Sequence, residues 1–536
     1  MKAIHADPRE IRKLFAEKFI IPDFQRPYSW EKEHCEKLWD DFMNFFDSKQ
    51  NKEDKYFLGN IVIHPYDGAF AVIDGQQRLT TLLLLIKSLH QRAGTVHALE
   101  KCLKIEDPLT SQLTDELRVQ SHVFENDKLF LYDIIFKDGS KAPDDCKLKR
   151  NFIHFNTKLS EWLSSVSHNT AKLNDLILTL LDNVVMLPIH CGSEDDALTI
   201  FETINNRGMA LTDADIFKAK LHHAAGSKDK DVFIEKWNAI ENHEWLFRIY
   251  MYILRAKEND TSREIALRSF FSVKSRLQNN WQSVMESLHI LHEINKNWQS
   301  SDIDEIGKKI LLTYPNQYWH FPLNVFLHKY GKYTTEEGFY LPEDKKSLYS
   351  RLVKETVKYF FIKGIVYNSV NAVRDTVYKV CALIEKNEDF ISEYLNNSKS
   401  DVDEFKRRVG TSQYGRYQRG LVLIASLCNP KQSESDYNQI LNSCHIEHIL
   451  PKKWNNYDEW TNDTWQKALN TLGNLVPLEW NLNISAKNEF FARKKELYKN
   501  SKVQDAIYLT KFDTWHPKEY ENRHKETTDR LLSYFL

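Results

Sequence analysis

The stretch FLGNIVIHPYDGAFAVIDGQQRLTTLLLLIKSLH, residues 57–90, changes its pattern twice. Apolar and β-branched runs lie on both sides of the turn-forming residues Pro65–Gly68, which predicts a β-hairpin. Leu79–His90 is strongly apolar and long enough to form a buried helix. The polar sequence Asp74–Arg78 is therefore expected at a turn that leads from a strand into a helix.

Signals of the same kind recur further along the chain. Val184–Ile189 has the composition of a short strand. The pairs Ser193/Asp196 and Thr212/Asp215 have the spacing of residues that cap the start of a helix. The N-terminal part is therefore expected to mix strands and helices.

The middle of the chain has a different pattern. From about residue 226 to about residue 400 the apolar and aromatic residues follow helical periodicity, which favours a helical connecting domain. Breaks are expected at residues 331–343 and 396–403. The sequence thus predicts an α+β, predominantly helical protein with three domains, at residues 1–225, 226–400 and 401–536.

Composition limits the class of protein. The chain has 536 residues, of which 42% are hydrophobic, so it is expected to be globular. The net charge of −2 excludes a globally basic protein that coats DNA, so any nucleic-acid contact requires local patches. The seven Cys form no CxxC pair, there is no signal peptide, and the apolar runs are too short to cross a membrane, so the expected location is the cytoplasm.

Three polar clusters lie within apolar surroundings in the N-terminal part. They are Asp23–Trp30, Asp74–Thr80 and Asn205–Gly208. A Gly-containing turn that enters a helix offers free N–H groups to a phosphate, and Arg26, Arg78 and Arg207 could add contacts to phosphate oxygens. Any one cluster alone is more simply explained as a turn that satisfies its own backbone. The P-loop pattern GxxxxGK[ST] is missing, so a P-loop site is not supported.

A second group of polar residues lies near the C-terminus. Phosphodiester hydrolysis requires an activated water and neutralisation of the phosphate charge. His448 is a candidate general base, and Glu447 with Asn483 offers the oxygen ligands that suit Mg²⁺ or Mn²⁺. Asn474 is expected at a turn, where its amide can fix the loop that carries His448. Cys444 beside these residues could suggest zinc, but there is no second Cys/His pair at ligand spacing.

Basic residues follow this group. Residues 487–502 contain six Lys or Arg and two Glu, and a helix is expected over Ala486–Tyr498. The candidate DNA contacts on it are Lys487, Arg493 and Lys494. A second basic stretch, Lys406–Arg419, interleaves Tyr with Arg. It predicts stacking of Tyr417 on a base and adds Arg416 and Arg419 as candidate DNA contacts. In both stretches a solvated helix face is the alternative explanation.

The strings FQRPYSW, LGNIVI, VIDGQQRLTTL and FETINNRGMALTDADIFKAKL resemble the N-terminal domain of GmrSD-type restriction endonucleases. That domain is similar in fold to ParB and sulfiredoxin. The resemblance implies a site that binds and hydrolyses a nucleoside triphosphate, GTP or ATP. The residues implied at this site are Gln25, Arg26, Asp74, Gly75, Gln76, Gln77, Arg78, Thr80, Asn205 and Arg207.

The strings EHILP, LGNLVPLEWNLN and FFARKKELY, with a closing Trp515 and Arg523, resemble the GmrD-type HNH nuclease domain, also called ββα-metal or His-Me finger. The resemblance implies His448 as general base and Asn474 as support for its loop. The implied metal ligands are Glu447, His448 and Asn483. Many such nucleases have His where this chain has Asn483, which favours a hydrated Mg²⁺-like ion over tightly bound zinc.

The two resemblances together predict a DNA endonuclease of the modification-dependent (type IV) restriction class, regulated by nucleoside triphosphate and acting against phage or other foreign DNA. Its expected partners are double-stranded DNA, modified phage DNA in particular, and the triphosphate; a homodimer remains open, and no membrane is involved. Two alternatives also remain open: a nucleotide-responsive DNA-binding regulator whose HNH half is inactive, and an HNH nuclease that cleaves RNA.

Overall fold

The computed structural model describes residues 5–107, 109–122, 125–137, 139–194, 196–197, 200, 212–273, 276–277, 280–297, 305–369, 371–411, 415–457 and 459–536. The chain forms two compact units, Met1–Trp237 and Asn238–Leu536. The expected boundary at residue 400 lies inside the second unit, and the division into three domains stays a prediction. The fold is α+β and predominantly helical, as predicted.

A seven-stranded mixed sheet organises the first unit. Its strands are β1 (His5–Ala6), β2 (Arg9–Glu10), β3 (Phe19–Ile21), β4 (Tyr56–Tyr66), β5 (Ala69–Asp74), β8 (Val119–Ser121) and β9 (Val184–His190). The order across the sheet is β1-β9-β4-β5-β3-β8, with β2 also paired to β9. β3 runs parallel to both β5 and β8, whereas β4 and β5 are antiparallel. A separate two-stranded sheet joins β6 (Lys104–Glu106) to β7 (Leu113–Leu117).

The predicted hairpin is confirmed as β4 and β5. Asp67 and Gly68 at its tip both have positive φ, 45° and 69°, which suits the tight turn between twisted antiparallel strands. β5 ends at Asp74, Gly75 has φ 92°, and the helix Gln76–Ala93 follows at once. The polar sequence thus lies at a strand-to-helix turn, as its composition predicted.

The sheet is covered on both faces, because successive residues of a strand point to opposite sides. Ile61, Ile63 and Val72 pack into a core with the apolar side of the helix Gln76–Ala93. Residues of the opposite face pack into a second core with the helix Asp213–Asn238; they are Val62, Ile73 and Ile189, joined by Phe24 and Ala219. The edge of the sheet at which the parallel strands β3, β5 and β8 end, called the carboxyl edge below, therefore lies between helices on the two faces.

Further helices surround the sheet in the first unit. They are Ile11–Leu14, Lys32–Ser48, His97–Leu103, Glu125–Phe136, Lys147–Ser165 and Thr170–Leu178, the last continuing as a π-helical turn over Thr179–Asn183. Ser193 accepts a hydrogen bond from the Asp196 N–H, and Thr212 and Asp215 bond reciprocally, so both predicted caps are confirmed. The helix Asp213–Asn238 is kinked at Gly226, which has φ 67°.

The second unit is almost entirely helical. Its helices are His243–Lys257, Leu267–Phe270, Trp281–Asn297, Glu305–Leu311, His320–Tyr330, Glu343–Tyr367, Arg374–Lys386, Phe390–Ser398, Val402–Thr411, Gln418–Leu427, Tyr437–Ser443, Asn462–Ala468, Trp480–Ala486, Phe491–Tyr498, Gln504–Leu509 and Pro517–Phe535. Short 3₁₀ turns lie at Lys399–Asp401, Gly415–Tyr417, Glu434–Asp436 and Leu472–Asn474. None of the helices in the described part of the chain combines the length and apolar composition that crossing a bilayer requires.

Of the two predicted breaks in the middle region, the first is confirmed and the second is wrong. The helix His320–Tyr330 ends at the first break and the next helix begins at Glu343, with a small hairpin, β10 (Lys332–Thr334) with β11 (Gly338–Tyr340), between them. Residues 396–403 are helical or 3₁₀ throughout, because the buried Asp401 accepts hydrogen bonds from Lys363 at 2.6 Å and Tyr367 at 2.9 Å. These contacts hold the polar segment against its neighbours.

The last sheet consists of β12 (Cys444–His448), antiparallel to β13 (Leu475–Glu479). The helix Trp480–Ala486 follows β13 directly, and the helix Phe491–Tyr498 comes next. The continuous helix predicted over Ala486–Tyr498 is wrong, since Lys487 has φ 45°, a left-handed conformation that ends the first helix.

We expect Gly75→Ala to lower the free energy of unfolding of the first unit by about 2–4 kcal/mol, because a left-handed Ala is strained and crowded. A Cβ here would lie 2.4 Å from Ile61 Cγ2, so the hairpin and the helix would have to separate. Gly68→Ala is the control, because Gly68 also has positive φ but nothing lies within 4 Å of its Cβ position. Calorimetric melting of the full chain checks this; equal losses for the two variants would contradict it.

Candidate functional sites

Glu447 and His448 end the strand β12, and both are buried. In the antiparallel register Glu447 pairs with Val476 and His448 with Leu475. Successive side chains of a strand leave opposite faces, so the two point to different surroundings. Glu447 contacts residues of the two helices that follow β13, whereas His448 contacts the loop that precedes β13.

The Glu447 carboxylate is held on both oxygens. Lys494 Nζ lies 2.6 Å from Oε1, and Asn483 Nδ2 donates to Oε2 at 3.1 Å. The same ammonium donates to the backbone oxygen of His448 at 2.6 Å, and the Lys494 side chain is only 1% exposed. Burial raises the pKa of Glu447, and the nearby Lys494 opposes that rise. Lys494 thus ties one helix to two consecutive residues of β12.

The His448 ring contacts Asn470, in the loop that precedes β13. Nε2 lies 2.9 Å from Oδ1 of Asn470. Because an amide oxygen accepts, Nε2 carries the hydrogen in this arrangement, and Nδ1 keeps its lone pair. Burial lowers the pKa of His448 to about 4, and the Asn470 contact opposes that shift only in part. The imidazole is therefore neutral near pH 7.

Asn474 fixes the loop after His448. Its side chain is fully buried, its Oδ1 accepts from the Leu450 N–H at 2.6 Å, and its Nδ2 donates to the Leu469 oxygen at 2.9 Å. Its own backbone oxygen accepts from Ile449 N–H at 2.9 Å. Asn474 thus joins the segments on both sides of the loop, as its expected turn position required.

The predicted DNA contacts separate into two groups. Lys487, Arg493 and Arg416 are exposed, and Arg419 is half-buried. Lys494 is different, because burial and its ion pair with Glu447 keep its ammonium away from solvent, so it cannot reach a phosphate from this position. The predicted stacking role of Tyr417 is wrong for the same reason: its ring is buried and packs 5.4 Å from Tyr314.

The first unit brings its predicted residues together at one edge of the sheet. The parallel strands β3, β5 and β8 end there, and ligands of such sheets bind at the carboxyl ends of the strands. Gln25, after β3, donates to the Ile73 oxygen in β5 at 3.1 Å. Gln77, after β5, accepts from Ser29 N–H at 2.8 Å and donates to the Pro27 oxygen at 3.1 Å. These bonds hold the first two polar clusters against each other.

Asp74 and Arg78 lie one helical turn apart at this edge. Their charged groups are 3.9 Å apart, and Arg78 also donates to the Asn60 oxygen at 2.8 Å. Burial raises the pKa of Asp74, while Arg78 lowers it. Gly59 allows this approach, because a Cβ there would lie 2.2 Å from the Arg78 guanidinium.

A narrow cleft opens beside this turn. Four predicted residues line it: Arg26, Gln76, Gln77 and Thr80. Sequence reasoning missed the other polar lining residues, which are Tyr28, Ser121 and Asp127. Only the fold brings the strand end at Ser121 to this place, although Tyr28 lies inside a polar cluster that the sequence had marked. Asn205 and Arg207 of the third cluster lie outside the described residues.

Few metal-binding side chains lie close together in the described part of the second unit. The described residues contain no group of three His, Cys, Asp or Glu side chains that could hold a metal ion. Glu447 and Asn483 are nevertheless neighbours, joined by the Asn483 amide nitrogen at Glu447 Oε2. Mg²⁺ commonly binds one or two protein ligands and keeps several waters, so a carboxylate and an amide are ligand types that suit a hydrated hard cation and not a tetrahedral zinc site.

Two known family models match this chain. The family model described as "GmrSD restriction endonuclease, N-terminal domain" matches residues 10–222, and "GmrSD restriction endonucleases, C-terminal domain" matches residues 398–529. Together the two matches cover more than half of the chain. The chain belongs to the GmrSD-type restriction endonuclease family. A search of curated proteins found no match.

The two GmrSD matches contain both candidate sites. The N-terminal GmrSD match includes all three parallel strands and the cleft. The C-terminal GmrSD match includes β12, β13 and the helix that carries Lys494. Membership of the GmrSD family supports a restriction endonuclease role with DNA as substrate and is consistent with a divalent metal.

We expect Asn474→Ala to lower the free energy of unfolding of the second unit by about 2–4 kcal/mol, because it leaves the buried Leu450 N–H and Leu469 oxygen without their partner. DNA cleavage should fall about 100-fold, because the loop after His448 loosens. Asn455→Ala, at an exposed position in the same region, is the control. Melting and cleavage assays check both effects; wild-type stability of Asn474→Ala would contradict the role of this amide.

Proposed function

We propose that this chain is a nucleoside-triphosphate-regulated DNA endonuclease of the modification-dependent restriction type, whose C-terminal site hydrolyses the phosphodiester with metal assistance. One observation carries the nuclease half of the proposal. A neutral His448, whose Nε2 faces Asn470 Oδ1, lies next in sequence to Glu447, and Glu447 is held by Asn483 and Lys494. The strand-strand-helix order of β12, β13 and Trp480–Ala486 supports an HNH, or ββα-metal, assignment.

In this mechanism His448 is the general base. Its neutral form is already present near pH 7, because burial opposes protonation. Asn470 holds the Nε2–H, so Nδ1 is the atom that accepts the proton from the attacking water. Asn474 keeps the loop beyond His448 in place through the Leu450 N–H. In this proposal Nδ1 of His448 acts as the base, and the metal-ligand role implied for His448 stays a prediction.

Glu447 Oε2 and the Asn483 amide are the groups that would hold a divalent cation. Such an ion, Mg²⁺ or Mn²⁺, would supply Lewis-acid stabilisation of charge on the scissile phosphate. Lys494 has a supporting role in this arrangement. Its ammonium favours the ionised form of the buried Glu447, and its bond to the His448 oxygen sets the base and the carboxylate at a fixed separation along β12.

The exposed cations near this region would contact the DNA backbone. Lys487 precedes the helix that carries Lys494, Arg493 lies on that helix, and both are exposed. Arg416 and Arg419 form a second group in the same unit. Contacts of this kind neutralise phosphates without reading sequence, so recognition of a modified base must come from other groups.

The carboxyl edge of the sheet in the first unit is the proposed nucleotide site. The N–H groups at the start of the helix Gln76–Ala93 are directed toward the carboxyl edge of the sheet, where the helix dipole favours an anion. Arg26 and the Asp74–Arg78 pair lie at the same edge. GTP or ATP bound there would be hydrolysed and would regulate cleavage of modified phage DNA. A ParB- or sulfiredoxin-like fold remains part of this proposal.

His448→Ala should lower the rate of DNA cleavage by about 100- to 10,000-fold, the usual range for loss of a general base. His445→Ala is the matched control, since His445 lies on the same strand but is exposed. Cleavage of modified and unmodified phage DNA is measured with Mg²⁺, with Mn²⁺ and with EDTA, and the wild type should cut only with a metal. Full metal-dependent cutting by His448→Ala would remove the proposed base.

The same panel tests the alternatives. DNA binding without nicking under every condition would favour a regulatory protein with an inactive nuclease half. Preferential cutting of an RNA of matched sequence would favour the ribonuclease alternative.

Asp74→Asn should lower nucleoside-triphosphate turnover at least tenfold, because it removes the carboxylate that faces Arg78 without changing side-chain size. Asp67→Asn, at the exposed tip of the same hairpin, should leave turnover unchanged. Phosphate release from GTP and from ATP is the measurement. Wild-type turnover by Asp74→Asn would count against this site.

A further inference from the structure

The helix Asp213–Asn238 carries two buried polar side chains that neither candidate site includes. Lys218 and His222 are four residues apart, so they lie on the same face of the helix. Lys218 is only 6% exposed and His222 only 2%. Burial of an ammonium group costs free energy unless it is well compensated, so these positions require an explanation.

Both side chains point to the loop that follows β3. His222 Nε2 lies 3.0 Å from Oδ1 of Asp23, and Lys218 Nζ donates to the Asp23 backbone oxygen at 3.4 Å. The Phe24 ring packs 5.0 Å from the His222 ring. The helix therefore contacts the same loop that supplies Gln25 and Arg26 to the carboxyl edge of the sheet.

The described residues do not use all the hydrogen-bond donors of Lys218. An ammonium has three donors, and the one bond that the described residues offer to Lys218 is long and ends on an uncharged carbonyl. The Lys218 ammonium therefore has donors left for an acceptor beside the loop that follows β3.

The position of Lys218 indicates what kind of acceptor would meet its ammonium group. The helix Gln76–Ala93 covers one face of the sheet, and the helix Asp213–Asn238 covers the other. The loop after β3 lies between them at the edge where β3, β5 and β8 end. An anion at this edge would have the start of the first helix on one side and Lys218 on the other.

The charge around the pair fits an anion as well. Lys218, Lys230 and Arg26 lie near the loop, and Asp23 and Asp215 are the carboxylates that act on this group. Burial lowers the pKa of Lys218 to about 8, and Asp23 and Asp215 oppose that shift, so the ammonium form still prevails at pH 7. Phosphate oxygens accept hydrogen bonds from ammonium groups strongly.

We propose that Lys218, with His222 beside it, binds the phosphate chain of the nucleoside triphosphate and forms the wall of the nucleotide site opposite the Gln76–Ala93 helix. This rests on the proposed nucleotide site and adds a phosphate ligand from the other face of the sheet. Asp23 holds His222 in place, so the loop after β3 and the helix would respond together to a bound phosphate.

The test is Lys218→Met in the full chain, a change that removes the charge and nearly keeps the length. We expect affinity for GTP or ATP to fall about 10- to 100-fold, the usual effect of losing one hydrogen bond to a charged group. Affinity for guanosine or adenosine, which carry no phosphate, should not change. Calorimetric titration measures both. Lys228→Met, at an exposed position on the same helix, is the control and should match the wild type.

The melting temperature without nucleotide separates this role from a structural one. A phosphate ligand buried without its phosphate destabilises the free protein, so Lys218→Met should melt at the wild-type temperature or above it. A clear loss of stability together with unchanged triphosphate affinity would show that Lys218 only clamps the loop and would overturn the inference.

The two proposals fail in different ways. If the wild type binds neither triphosphate, the proposed nucleotide site is wrong and this inference fails with it. If the wild type binds and Lys218→Met binds equally well, the nucleotide site stands and only the role of Lys218 is wrong.

Discussion

The buried ammonium of Lys494 is the constraint on which the C-terminal site depends. It lies between the Glu447 carboxylate and the His448 backbone oxygen, at 2.6 Å from each. Removing one partner of a buried ion pair typically costs about 3–5 kcal/mol, because the other charge is left without compensation. The helix Phe491–Tyr498 is therefore held to the end of β12, and the two acid–base residues are held with it. The same ion pair thus holds the helix in place and fixes the positions of the residues proposed for catalysis.

The candidate site of the first unit depends on a different constraint, the close approach of neighbouring groups to the backbone at two glycines. Gly75 lies against Ile61 and the Asn60 oxygen, and Gly59 lies against Arg78, so neither position has room for a side chain. This contact directs the start of the helix Gln76–Ala93 toward the carboxyl ends of the parallel strands. A phosphate can approach free N–H groups only where the backbone is bare, so the same two glycines that allow the packing also expose the candidate site.

Each candidate site has a buried lysine beside it. Lys218 and Lys494 are both less than a tenth exposed, and burial lowers the pKa of each. Their surroundings differ, however. Lys494 has a carboxylate partner within the chain, which suits a fixed support, whereas Lys218 has a long bond to a carbonyl, which suits an external anion. A buried lysine whose charge is neutralised within the chain is thus a structural one, and a buried lysine without such a partner among the described residues is a candidate to bind a ligand.

The sequence by itself determined the elements whose signals are local. The hairpin of β4 and β5, the turn at Gly75 and the caps at Ser193 and Thr212 follow from turn chemistry and periodicity within a few residues. Only the tertiary structure decided that Lys494 is buried, that Asn470 holds His448, and that Lys218 reaches the loop after β3. These contacts join residues 22 to 195 positions apart in sequence, and a local pattern carries no information about which distant side chain will neutralise a buried charge.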